Sequence, residues 1–110
     1  MPHVRIEHAG TAVDQQKVCE AVFDALAAHK AIPHPESLKV RALPCDAYRI
    51  GTEPASFAHA HLTLLPGRSD EVKTELARLI LTVMRRHLPE VGSLSVDVAD
   101  LSSSYVKDVL

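Results

Sequence analysis

Apolar and polar positions alternate from the start of the chain. Val4 and Ile6 share one face of an extended segment and His3, Arg5 and Glu7 the other, the period-two pattern of a half-buried strand. After Gly10 the period changes: Thr11-Ala12-Val13-Asp14 reads as a capped helix start, and Val18, Val22, Ala25 and Leu26 recur at helical spacing. A helix over about 12–30 is predicted. Ala31-Ile32-Pro33-His34-Pro35 breaks it, and Leu38, Val40 and Ala42 then alternate with Lys39, Arg41 and Leu43 as a second strand.

The same grammar repeats downstream. Between Phe57 and Leu65, Ala58, Ala60, Leu62 and Leu64 alternate with His59, His61 and Thr63. A helix capped at Ser69 follows, with Asp70 and Glu71 in its first turn and Val72, Leu76, Leu79, Ile80 and Val83 as its apolar stripe. Pro89 and Gly92 lie beyond its end, and Leu94, Val96 and Val98 alternate with Ser95 and Asp97 as a fourth strand. Gly10 is matched by Gly67, and Ser37-Leu38 by Ser93-Leu94, at nearly the same offset. Two diverged copies of one unit, over about 2–50 and 57–101, are expected within one domain spanning the chain. The fold class is α+β: duplicated β-α-β units, each with a right-handed crossover, forming a four-stranded sheet with both helices on one face. The other face would carry His3, Arg5, Glu7, Lys39, Arg41, His59, His61, Thr63, Ser95 and Asp97. It is too polar for a second core and suits solvent or the polar faces of neighbouring subunits.

Composition narrows the partners. A chain of 110 residues supports one core. Its 12 Lys and Arg against 14 Asp and Glu give a net charge of −2, which speaks against a nucleic-acid or anionic-membrane surface. The absence of Trp and an aromatic content of 4% speak against base stacking. Cys19 and Cys45 are too few for a disulfide framework, and no apolar run is long enough for a secretory signal or a transmembrane helix, so a cytoplasmic location is expected. Cys19 reads as a small core residue, and Cys45 has no identifiable base beside it. His59 and His61 share a strand face but lack a third ligand at diagnostic spacing, so no metal is expected.

Two positions carry candidate chemistry. Pro2 has no N–H, which an edge-strand start tolerates; trimming of Met1 would instead make it an N-terminal secondary amine able to act as a base. Arg68 lies between Gly67 and the Ser69 cap, so its guanidinium projects beside a helix N-terminus, a setting that favours an anion. Tyr105, in the Ser-rich C-terminal segment, is a candidate for a pocket rim or a subunit contact.

Pro2 directly after Met1, the β-α-β duplication and the run Pro66-Gly67-Arg68-Ser69-Asp70-Glu71-Val72-Lys73 together resemble the tautomerase superfamily. The duplicated length, with Met1-Pro2-His3, Phe57-Ala58-His59-Ala60-His61-Leu62-Thr63-Leu64 and the acidic strand ending near Asp100, is most similar to its 5-carboxymethyl-2-hydroxymuconate isomerase branch. The resemblance implies a cofactor-independent isomerase that moves a proton in a small unsaturated 2-oxo or 2-hydroxy dicarboxylate, in aromatic-compound degradation. Pro2 would be the general base and acid, and Arg68 would meet the substrate's carboxylate or oxyanion end. Such a proton shift needs a base of matched pKa, a partner for the developing oxyanion and a grip on the carboxylates, but no metal. Where the family places a second arginine, this chain offers Lys39 or Arg41. The first copy has Thr11 where the second has Arg68, which implies one site per chain. The resemblance also implies a homotrimer, with Tyr105 reaching a neighbour. A retained Met1 would turn the Pro2 nitrogen into an amide without basicity. The competing readings are a non-catalytic oligomeric α+β binding protein of the same fold and a dehalogenase or decarboxylase relative.

Overall fold

A computed structural model describes residues 1–110. Strand β1 (His3–Ala9) leads into helix α1 (Gln15–Ala27), a single 3-10 turn at Pro35–Ser37 and strand β2 (Lys39–Pro44). Strand β3 (Phe57–Leu64), helix α2 (Asp70–His87) and strand β4 (Ser93–Asp100) repeat the order. The four strands form one sheet in the order β2-β1-β3-β4. β1 runs parallel to β2 and β3 parallel to β4, while β1 and β3 join the halves antiparallel. This is the α+β arrangement that the periodicity predicts.

One core of 17 buried residues lies between the helices and a single sheet face. Val4, Ile6, Ala58, Ala60, Leu62 and Leu64 supply the sheet side; Val18, Val22 and Leu26 of α1 and Leu76, Ile80, Val83 and Met84 of α2 supply the helix side. Met84 extends the predicted stripe of α2 by one residue. Cys19 is half-buried beside this core rather than within it.

α1 is shorter than the predicted 12–30. The Asp14 carboxylate accepts from the Lys17 amide at 3.1 Å, so the cap falls on Asp14 and Thr11–Val13 stay outside the helix. At the other end His29 N–H bonds back to the Leu26 carbonyl and Ile32 N–H to that of His29. That tight turn drives Ile32, only 2% exposed, into the core, and burying a full apolar side chain outweighs continuing an exposed helix. The second helix is capped as expected, with Ser69 Oγ accepting from the Val72 amide at 3.3 Å.

Gly10 and Gly67 both have positive φ, 96° and 130°, the conformation that glycine alone adopts cheaply. At Gly10 a Cβ would also strike the Ala55 carbonyl oxygen. Gly67 is open to solvent and swings the chain so that Arg68 enters the start of α2.

The sheet's second face carries the polar set. In register across the strands, Arg41, Arg5, His61 and Asp97 form one row, and Leu43, Glu7, His59 and Ser95 another. His59 Nδ1 lies 2.7 Å from Ser95 Oγ, and His61 Nδ1 lies 3.4 Å from an Asp97 carboxylate oxygen. Each imidazole thus has its own partner on β4, and no group of three His, Cys, Asp or Glu side chains is placed to hold a metal. No helix is long and apolar enough to cross a membrane.

Candidate active site

Pro2 is buried at the head of β1. Its carbonyl accepts from the Lys39 amide at 3.1 Å, which extends the β1–β2 ladder and fixes the start of the chain against β2. Pro2 lines a cavity of ≈ 300 Å³ together with Met1, Ile32, His34, Leu64 and Arg68. The cavity thus sits where the N-terminus, the α1–β2 connection and the β3–α2 connection meet. Met1 is only 9% exposed, so its side chain occupies one wall of the space that its removal would enlarge.

Arg68 spans two of these segments. Its Nε and Nη2 donate to the Ala31 carbonyl at 3.2 and 2.8 Å, and its Nη1 donates to the Leu65 carbonyl at 3.1 Å. The guanidinium therefore ties the α1–β2 connection to the end of β3 while contributing a half-buried positive charge to the cavity. Its remaining N–H groups are free for an anion.

Lys39 sits beside this cavity, its Nζ donating to the carbonyl of Ser37, itself a lining residue, at 3.0 Å. Arg41 and Tyr105 do not line it. They meet through His3: Arg41 Nη1 lies 3.2 Å from His3 Nδ1, and the Tyr105 hydroxyl lies 3.0 Å from His3 Nε2. Pro2, Arg68 and Lys39 are thus gathered at one end of the sheet, whereas Arg41 and Tyr105 form a chain on its polar face. A larger open hollow of ≈ 600 Å³ between α1 and edge strand β2 includes Arg41, Cys19 and Val40. Its one carboxylate, Asp14, is engaged in capping α1, and burial together with Glu20 pushes the Cys19 thiol above its ordinary range. The smaller cavity is the one that brings Pro2 and Arg68 together.

The amino terminus lies in a cationic field. Its amine is held below the ordinary value first by burial, then by Lys107, Arg68 and Lys39 in that order, since all four disfavour an ammonium. His3 is likewise held below its ordinary value by burial, followed by Arg41, Lys39 and the amino terminus. Lys107 and the bridging role of His3 are features that periodicity did not single out. Lys107 is a lone cation in a polar tail, and His3 reads simply as one member of a polar strand face.

The chain matches the family profile described as 5-carboxymethyl-2-hydroxymuconate isomerase over residues 2–105. No curated protein matches it. Among solved structures it is similar to a 5-carboxymethyl-2-hydroxymuconate isomerase from Deinococcus radiodurans R1, with 23% identity, a TM-score of 0.84, and coverage of 98% of this chain and 90% of that one. It is also similar to the macrophage migration inhibitory factor of Toxoplasma gondii, at 15% identity and TM-score 0.75, covering 96% of this chain and 95% of that one. A protein described as a Q0 fused 4-OT wild type symmetric trimer matches at 18% identity and TM-score 0.74, covering 94% of this chain and 89% of that one. These likenesses establish a shared fold.

Proposed function

Because the chain belongs to the 5-carboxymethyl-2-hydroxymuconate isomerase family, within the tautomerase superfamily, we propose that it is a cofactor-independent isomerase with Pro2 as its proton shuttle. The substrate class is an unsaturated 2-oxo or 2-hydroxy dicarboxylate, or a relative with a further carboxylate such as 5-carboxymethyl-2-hydroxymuconate, an intermediate of the kind met in aromatic-compound degradation. The observation that carries this reading is the placement of Pro2 and Arg68 on the walls of one cavity, inside the cationic field around the amino terminus.

With Met1 removed, the neutral Pro2 nitrogen takes a proton from the substrate, its lone pair forming the N–H bond as either the 2-hydroxyl O–H bond breaks and leaves its pair on oxygen, or, in a 2-oxo substrate, a C–H bond breaks and its pair passes along the conjugated chain to the 2-oxygen. The resulting dienolate carries its negative charge next to Arg68, whose free N–H groups and charge stabilise it. The prolinium then returns the proton to a different carbon, the electrons flow back, and the amine is neutral again. Lys39, beside the cavity, holds the second carboxylate as a point charge, whereas Arg41, which would offer a fork, and Tyr105 stand outside this cavity with His3 between them. The working unit is a homotrimer, because the polar sheet face and both edge strands of one copy are left without cover.

Intact mass of the purified protein, followed by a panel of unsaturated dicarboxylates monitored by ultraviolet absorbance, tests the proposal. Loss of Met1 together with turnover of such a substrate supports it. Quantitative retention of Met1 favours the non-catalytic binding protein, because an acylated proline nitrogen has no basicity; halide or carbon dioxide release in place of isomerisation points to the dehalogenase or decarboxylase relative.

A further inference from the structure

The turn that follows α1 carries a chain of contacts back to Arg68. His29 lies just beyond the Ala28 C-cap, and its ring folds onto the turn, Nδ1 accepting from the Ala31 amide at 3.0 Å. A ring nitrogen that accepts carries no proton, so the imidazole hydrogen sits on Nε2. That nitrogen faces a Glu75 carboxylate oxygen of α2 at 3.4 Å, and the carboxylate thereby favours the tautomer that the Ala31 amide requires. The His29 side chain is 13% exposed and that of Glu75 60%, so the ring is enclosed while its partner stays in water. The His29 carbonyl in turn accepts from the Ile32 amide at 3.0 Å. This N–H belongs to the same peptide unit as the Ala31 carbonyl, which accepts from both Nε and Nη2 of Arg68.

We propose that His29 and Glu75 are positioning residues that set the aim of Arg68 by fixing the Ala31 carbonyl on which the guanidinium rests. The functional consequence rests on Arg68 being the residue that grips the substrate's anionic end. Nε donates its only N–H, and Nη1 and Nη2 one each, to the Ala31 and Leu65 carbonyls, which leaves one N–H on each terminal nitrogen. That pair is enough for the two oxygens of one carboxylate. Because Nε and Nη2 share a single acceptor, the direction of the Ala31 carbonyl decides where the free pair points. An arginine fixed before the substrate arrives loses less freedom on binding than one that must be ordered then, and a carboxylate met at the wrong angle is held by one bond in place of two. Glu75 lies on α2, the helix that Arg68 precedes, so the contacts leave α2, cross the turn after α1 and return to the start of α2. A clamp that only pinned α1 to α2 would need the contact between His29 and Glu75 but not the bond to the Ala31 amide, and this difference is open to experiment.

The test uses full-length protein lacking Met1, with isotope-labelled arginine, so that exchange of the Arg68 Nε–H with water is read by NMR independently of turnover. His29→Leu removes the acceptor and is expected to speed that exchange about tenfold. His29→Asn should return it to the wild-type rate, because a side-chain carbonyl at this position can accept from the amide two residues on. Glu75→Ala leaves the ring in place and should speed exchange about threefold, which reads the same chain of contacts if His29→Leu unfolds. Lys30→Gln, at the exposed neighbour of His29, should leave the rate unchanged. Calorimetry with a dicarboxylate inhibitor should show about fivefold weaker binding by His29→Leu, and no further loss when His29→Leu is added to Arg68→Ala, since a residue acting through the guanidinium then has nothing to act on. Wild-type exchange in a folded His29→Leu, or in Glu75→Ala, overturns the inference whatever the activity. Failure of His29→Asn to restore the rate, or an equal loss of affinity with and without Arg68, reduces His29 to a clamp between helices and overturns it as well. If exchange moves as expected while both His29→Leu and Arg68→Ala bind the inhibitor like wild type, the positioning stands and the proposed function loses Arg68 as its anion grip.

Discussion

Pro2→Ala, processed so that alanine becomes the amino terminus, exchanges a secondary amine for a primary one and is expected to lower kcat/KM at least about tenfold. Circular dichroism should be unchanged, because the Pro2 carbonyl that bonds to Lys39 is retained; full activity with complete Met1 removal would reject Pro2 as the base. Arg68 has two duties. Arg68→Ala removes a charge-assisted contact worth about 1.5–3 kcal/mol, so affinity for a dicarboxylate inhibitor should fall about tenfold or more. It also cuts the tie between the Ala31 and Leu65 carbonyls, so the melting temperature should drop as well. Arg68→Lys keeps the charge but not the fork, and should recover binding better than it recovers stability. Calorimetry and a thermal melt on the same two variants separate the duties, and equal inhibitor binding by wild type and Arg68→Ala would leave only the structural one. The Gly67-Arg68-Ser69 motif pointed to this arginine from sequence, but its two hydrogen bonds to the Ala31 carbonyl did not show, because the two residues lie 37 positions apart and meet only through the fold.

Each β-α-β unit turns from strand to helix through a glycine with positive φ, yet the two glycines differ in what surrounds them. Gly10 packs against the Ala55 carbonyl and Ser56, whereas Gly67 has nothing nearby, and neither has Gly51 of the β2–β3 connection, whose φ is not positive. Gly10→Ala should therefore cost at least about 2 kcal/mol, from left-handed strain plus the clash, while Gly51→Ala should be close to neutral. Urea unfolding of both variants checks this, and equal midpoints would refute the close-approach argument. The elements themselves were legible because alternation and helical spacing are local properties of the chain. The limits of α1 were less so: Asp14 competes with Thr11 as the cap, and the helix stops at Ala27 because Ile32 turns inward.

Across the polar sheet face, the β2 edge presents Lys39 and Arg41 and the β4 edge presents Asp97. Opposite charges on opposite edges suit head-to-tail contacts that close into a ring. Light scattering at micromolar concentration is expected to give a trimer, and a fully active monomer would defeat the shared-interface picture. The same face makes stability sensitive to acid. His3 is held below its ordinary value in the folded chain, so above that ordinary value it is neutral in both states and contributes no pH dependence. As pH falls below it, the unfolded chain takes up the proton first, and stability declines until pH passes the folded value. Melting temperatures across this window should fall less steeply for His3→Gln than for wild type; parallel curves would remove His3 from the account.

The order of strands and helices, the face that each buries, the capped start of α2 and the prominence of Pro2 and Arg68 followed from the amino-acid order alone. Spacing, caps and glycines act over a few residues and need no partner from afar. The strand order, the antiparallel joining of β1 to β3 and the cavity shared by Pro2 and Arg68 arise when distant segments pack into one core. So does the separation of Lys39 from the Arg41–His3–Tyr105 chain. Lys39 and Arg41 look interchangeable on one strand face, but the backbone bond to Pro2 keeps the first at the cavity while His3 engages the second. Such choices depend on contacts between segments far apart in the chain, and a pattern of period two or three-and-a-half carries no record of them.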